Sequence, residues 1–173
     1  GKAVLFKKFA GINVFDIEVD ETDPDRLVDI IASLEPTFGA INLEDIKAPE
    51  CFVVERKCRE RMGIPVFHDD QHGTAIVTGA AILNGLCVVG KEFAGIKLVS
   101  TGGGSAGIAC LNLLLSLGVK RENVWLVDHL GVVHKARDEE MNPEKAAYAQ
   151  KTVARTLDEV IDDADVFLGL SAG

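Results

Sequence analysis

The stretch from Ile96 to Asp128 constrains the fold most. Ile96–Ser100 reads as a strand, Thr101–Gly107 as a glycine-rich turn, and Ile108–Leu117 as a helix closed by Gly118. A second strand, Asn123–Val127, then ends at Asp128. Within the turn, Gly102, Gly104 and Gly107 are spaced Gly-x-Gly-x-x-Gly, between a strand and a helix, with an acid at the end of the next strand. Gly102 permits the tight turn, Gly104 lets the backbone approach a pyrophosphate, and Gly107 lets the helix pack close to the strand. The helix end offers unpaired N–H groups and a positive dipole to phosphates. Asp128 is placed to accept from adenosine ribose hydroxyls. It favours NAD, because a carboxylate repels a 2′-phosphate, although His129 and Lys135 follow closely enough to compensate.

The remainder of the chain alternates helix and strand. Lys2–Ala10 is expected to be helical and closed by Gly11, and Val14–Val19 alternates as a strand does. Asp23–Leu34 is an amphipathic helix with Pro24 in its first turn. Thr37–Leu43 is a short strand, Pro49–Met62 a charged helix, Pro65–Phe67 another short strand, and Thr74–Val89 a helix. Asn142–Gln150 and Leu157–Ile161 follow as short helices, and Val166–Leu170 as a strand. Such a succession predicts an α/β fold with a parallel sheet covered by helices. The character of the chain changes near 90–95, which divides it into segments 1–92 and 93–173. Only half of a six-stranded sheet is expected in the second segment, leaving the first strand with an unpaired edge.

Charge narrows the partners. Among 173 residues, 27 Asp and Glu face 18 Lys and Arg, a formal net charge of −9 that argues against nucleic acid and anionic membranes. The 18 residues Gly73–Gly90 carry no charge, yet four glycines, two threonines and an asparagine keep their hydropathy modest. A helix buried on most sides is therefore expected rather than a membrane span. Cys51, Cys58, Cys87 and Cys110 form no CxxC pair, so buried free thiols in a reducing compartment are expected.

Two acidic pairs, Glu44-Asp45 and Asp69-Asp70, each follow a short strand. In an open parallel sheet the carboxyl ends of strands line the ligand crevice. Four carboxylates there require compensation, and a hard divalent cation with oxygen ligands, Mg²⁺ or Mn²⁺, supplies it. His68 and His72 flank the second pair; their spacing allows them as ligands, although satisfied structural histidines are the commoner case.

The blocks Gly1-Lys2-Ala3, Ile41–Asp45, Phe67–Ala75 and Gly102–Gly107 resemble, in order and spacing, those of malic enzymes of the bacterial branch, and the resemblance runs over essentially the whole chain. It implies oxidative decarboxylation of (S)-malate to pyruvate and CO₂ with reduction of NAD or NADP, dependent on Mg²⁺ or Mn²⁺. Residues 1–92 would then be the C-terminal part of the malic (metal and substrate) domain. Residues 93–173 would be the first half of a Rossmann-like dinucleotide-binding domain. The family's metal ligands fall on Glu44, Asp45 and Asp70, and its catalytic lysine on Lys2. Asp69, beside a metal ligand, is placed to orient Lys2 or relay its proton. Gly103, Gly104, Ser105 and Ala106 correspond most directly to the phosphate-binding turn. As a base, Lys2 must be neutral, which requires a lowered pKa. A cytoplasmic homo-oligomer is expected.

The family's tyrosine acid is absent, since the one tyrosine, Tyr148, lies elsewhere in the order of motifs. The 173 residues alone are therefore expected to lack activity that the intact parent has. Two other readings remain, a non-catalytic NAD(P)-sensing module and a different dehydrogenase such as one acting on amino acids; neither needs the carboxylate cluster.

Overall fold

Two separate sheets organise the chain in the computed structural model, which describes residues 1–171. The first lobe opens with helix α1 (Lys2–Leu5), which continues as a π-helical turn, Phe6–Ala10, and stops at Gly11 with φ of 70°. Helix α2 (Pro24–Ser33) is capped by Asp23, whose carboxylate accepts from the N–H groups of Asp25 and Arg26. Val28 and Ile31 of α2 pack against Val54 and Cys58 of α3 (Glu50–Arg61). Leu43 and Val66, from strands β1 (Ile41–Leu43) and β2 (Val66–His68), close the same core. The two strands pair in parallel with Leu43 opposite His68, so both acidic pairs leave the sheet at one end.

Val14–Val19 is not a strand. Its alternation has no partner to hydrogen-bond, and Phe15 and Ile17 are exposed. The strand expected at Thr37–Leu43 is reduced to its last three residues, because Glu35–Thr37 forms a 3₁₀ turn around Pro36.

After a π-helical turn at Asp69–Gly73, helix α4 (Thr74–Val89) runs as expected, but it is not buried on most sides. Only Ala75, Gly79 and Leu86 are buried, whereas Ile76, Val77, Leu83, Val88 and Val89 are exposed. Its packed face meets α5 (Ser105–Ser116), where a side chain at Gly79 would lie 3.0 Å from Leu113 and Leu86 joins Leu111 and Leu114. Cys87 on α4 is exposed, unlike the other three cysteines, and burial pushes the Cys51 thiol up to about 11.

The second sheet contains β3 (Leu98–Thr101), β4 (Val124–Asp128), β5 (Gly131–Val132) and β6 (Val166–Gly169), in the order β5-β4-β3-β6. Strand β3 is parallel to β4 on one side and to β6 on the other, so its edge is not left unpaired. The chain steps to opposite sides of β3 in successive crossovers, which makes the end of β3 a topological switch point, where α/β sheets open a ligand crevice. Strand β5 adds an antiparallel edge that the sequence reading did not contain. Between the strands lie α6 (Pro143–Ala146), shorter than the expected Asn142–Gln150, and α7 (Asp158–Ile161). The residues after α6 turn inward instead, burying Tyr148 and bridging Gln150 to His134.

Candidate active site

The parallel register of β1 and β2 delivers Glu44-Asp45 and Asp69-Asp70 to one crevice. Asp45 takes a left-handed backbone with φ of 60°, a conformation Asp tolerates better than most residues. This turns its N–H onto Oδ2 of Asp70 at 2.8 Å. From the other end of the lobe, α1 brings Lys2, whose ammonium donates to Asp69 Oδ2 and lies 3.1 Å from Glu44 Oε1. Asp69 Oδ1 sits 2.2 Å from where a Cβ on Gly73 would be, so this carboxylate has room only because residue 73 is glycine.

The hydrogen bond to Asp69, reinforced by Glu44, holds the Lys2 pKa above its ordinary value. Lys2 is thus protonated in this state, contrary to the lowered pKa expected for a base. The cause is that an ammonium is here the cation placed between strand ends. Among the described residues no three His, Cys, Asp or Glu side chains converge as a metal cluster. The donor chemistry nonetheless fits a hard cation: carboxylates from two strand ends flank a position that already holds a positive group, and Asp70 Oδ1 has no hydrogen-bond partner among the described residues.

Behind this crevice, His68 is fully buried, with Nδ1 3.9 Å from Asp70 Oδ2. Burial pushes its pKa down, against the pull of Asp70 and Glu55, and keeps the ring neutral near pH 7. The buried Glu55 on α3 meets His72 Nε2 at 2.6 Å. His72 is therefore structurally paired, whereas neither ring nitrogen of His68 has a hydrogen-bond partner among the described residues.

The glycine turn has the expected geometry. Gly102 has φ of 100°, and a side chain there would lie 2.7 Å from the Leu170 backbone just beyond β6. A Cβ on Gly107 would meet the Gly102 carbonyl oxygen at 2.0 Å, so its absence lets α5 start against β3. Around Gly104 there is open space, and no side chain caps α5. The first-turn N–H groups of Ser105, Ala106 and Gly107 are therefore uncapped by side chains, as a phosphate cradle requires. The start of α4 and the end of β6 share a cluster with α5 (Ala75, Ala109, Cys110, Leu168 and Leu170), which joins the two lobes next to the turn.

Asp128 has partners of its own that the sequence did not indicate. Its side chain is only 6% exposed and accepts bonds from Arg137 at 2.8 Å, from Lys145 at 3.0 Å and from the Leu130 N–H at 3.0 Å. Burial alone would raise its pKa, but Arg137 and Lys145 outweigh that and hold it at about 2. The compensating cations are thus Arg137 and Lys145, not His129 and Lys135; His129 instead faces Glu140 at 3.2 Å. The Lys145 stem crosses Gly103, with Cε 3.0 Å from where a Cβ would stand. The sequence reading missed both cations because they lie 9 and 17 residues beyond Asp128, too far for a local pattern to pair them with it; the signal available was a strand-end acid in need of a counter-charge. Tyr148 is committed elsewhere, its hydroxyl donating to Asn112, and burial pushes it up to about 12.

Residues 71–173 match the family model described as malic enzyme, NAD binding domain, and residues 21–59 match that of the malic enzyme N-terminal domain. The chain belongs to the malic enzyme family. It is 66% identical over 173 residues to the NADP-dependent malic enzyme of Haemophilus influenzae, covering 99% of this chain and 23% of that protein. It is 63% identical over 172 residues to an NAD-dependent malic enzyme of Rhizobium meliloti, covering 99% of this chain and 22% of that protein. The crystal structure of an NAD-dependent malic enzyme from Thermotoga maritima superposes with a TM-score of 0.92 at 41% identity, covering 99% of this chain and 46% of that one. The chain therefore spans under a quarter of these curated relatives, and its membership identifies it with an NAD- or NADP-dependent oxidoreductase family.

Proposed function

We propose that the full-length protein oxidises (S)-malate to pyruvate and CO₂, with NAD⁺ or NADP⁺ accepting the hydride and Mg²⁺ or Mn²⁺ required. The observation that carries this reading is the meeting of Lys2, Glu44 and Asp69, with Asp45 bonded to Asp70, at the carboxyl ends of parallel strands beside a dinucleotide turn.

Glu44, Asp45 and Asp70 are the residues that would hold the divalent cation, whose chemistry is to acidify the malate hydroxyl and to accept electron density as CO₂ leaves. Lys2 is the proton acceptor for that hydroxyl while hydride passes from C2 to the nicotinamide. It serves only once its amine is neutral, which a second positive charge in the crevice favours. Asp69 keeps Lys2 Nζ oriented and exchanges its proton. The glycine turn and the uncapped start of α5 hold the pyrophosphate, and Asp128, Arg137 and Lys145 border the adenosine ribose. In this reading residues 1–92 contribute the metal and substrate side, and 93–173 the first half of the dinucleotide domain.

The test is turnover of malate by the full-length protein with Mn²⁺ present. Pyruvate and NAD(P)H formed one to one support the reading. Oxaloacetate accumulating without pyruvate, or no reduced dinucleotide, contradicts it.

A further inference from the structure

We propose that His68 is a positioning residue for the cation crevice: its Nδ1–H secures Oδ2 of Asp70 and leaves Oδ1 to face the cation. This rests on the reading that Glu44, Asp45 and Asp70 hold that cation.

Three observations converge on Asp70. Its Oδ2 already accepts the Asp45 N–H at 2.8 Å, so that oxygen is engaged by the protein while Oδ1 is not. His68 Nδ1 lies on the same oxygen's side at 3.9 Å, and Asp70 is the one carboxylate within 4.0 Å of the imidazole nitrogens among the described residues. The imidazole is fully buried, yet neither nitrogen has a hydrogen-bond partner there.

A separation of 3.9 Å is longer than a hydrogen bond, and a shift of about 1 Å at the Asp70 carboxylate closes it. A buried polar ring without a partner is a poor packing element, since an apolar side chain fills the same space without losing hydration. Carboxylates that ligate metals are themselves commonly held by hydrogen bonds from behind, and losing such a partner weakens metal affinity. His68 is suited to this by position: it is the last residue of β2, opposite Leu43, so its backbone is fixed by the strand pair that delivers the acids.

The experiment measures Mn²⁺ affinity of the full-length protein by electron paramagnetic resonance of free Mn²⁺, without malate or dinucleotide. NADP⁺ affinity, read by fluorescence, reports whether each variant is folded. His68→Leu removes the donor and is expected to weaken Mn²⁺ binding about 10- to 100-fold while NADP⁺ affinity stays the same. His68→Asn keeps an N–H donor close to the position of Nδ1 and is expected to bind Mn²⁺ nearly as tightly as wild type. Wild-type Mn²⁺ affinity in His68→Leu overturns the proposal. So does equal loss in His68→Asn and His68→Leu with NADP⁺ binding intact, because the ring's packing would then be what matters. If His68→Leu loses NADP⁺ binding, His68→Asn alone decides: retained Mn²⁺ affinity supports the donor role and loss refutes it. Asp70→Asn separates this proposal from the one beneath it. If wild type binds no Mn²⁺, or Asp70→Asn binds it as wild type does, the cation reading itself fails.

Discussion

The backbone N–H of Asp45 donates to Oδ2 of Asp70 at 2.8 Å, tying the end of β1 to the end of β2 across 25 residues of sequence. Two of the proposed cation ligands are thereby fixed relative to each other before any cation arrives. Asp70→Asn preserves shape but removes the anion. It is expected to weaken Mn²⁺ binding by the full-length protein at least about 100-fold, beyond what loss of a supporting residue does, as a calorimetric titration would register.

Lys2 is partly exposed, so its ion pairs with Asp69 and Glu44 are expected to contribute at most about 1 kcal/mol to stability. Lys2→Ala should therefore leave the melting temperature nearly unchanged while lowering kcat about 10²- to 10⁴-fold. Lys2→Arg keeps the charge but does not give up its proton, and should lose as much. A melting curve and a kcat for each variant distinguish a chemical role from a structural one.

Gly107 and Gly104 should separate fold from ligand. Alanine at 107 places Cβ against the Gly102 carbonyl oxygen, and is expected to cost about 3 kcal/mol in urea unfolding. Alanine at 104 meets nothing and sits at an ordinary φ of −83°, so stability should be unchanged. Its methyl stands where a pyrophosphate approaches, so the KM for dinucleotide should rise. Equal, small effects of both substitutions would remove the argument for a phosphate-binding turn.

Asp128 gives the fold an acid-sensitive contact. Its folded pKa of about 2 lies below the ordinary value of 3.8, so its contribution is present above about pH 4 and lost as pH falls toward 2. The stability difference between wild type and Asp128→Asn should shrink by about 2 kcal/mol between pH 5 and pH 2. Denaturant unfolding at several pH values measures this directly.

Asp128, Arg137 and Lys145 together carry one net positive charge beside the expected ribose site. Lys145→Met should lower kcat/KM for NADP⁺ relative to NAD⁺ by about tenfold, the size of one charge-assisted hydrogen bond. Equal losses with both dinucleotides would show that Lys145 acts only through Asp128.

How far the sequence foretold this structure depends on whether a feature was local. The glycine turn, α2 with its Asp23 cap, and α4 were legible because their signals lie within a few residues. Val14–Val19 misled because alternation reports a face and not a partner strand. The pairing of β6 with β3 was invisible because it joins strands far apart in sequence, Val166 opposite Leu98 and Gly169 opposite Thr101. The same holds within the site. The four acids and Lys2 were readable as motifs, whereas the Asp45–Asp70 bond, the Arg137 and Lys145 partners of Asp128 and the position of buried His68 follow from tertiary placement.

In the proposed reaction the crevice made by Glu44, Asp45 and Asp70 uses a divalent cation to decarboxylate malate oxidatively. Its most direct measurement is NADPH and pyruvate formation by the full-length protein after chelation and again after adding Mn²⁺, for wild type and Asp70→Asn side by side. The account predicts that chelation abolishes turnover, that Mn²⁺ restores it in wild type, and that Asp70→Asn stays inactive at the same Mn²⁺ concentration. Undiminished turnover after chelation, or restoration of Asp70→Asn to the wild-type rate, would contradict it.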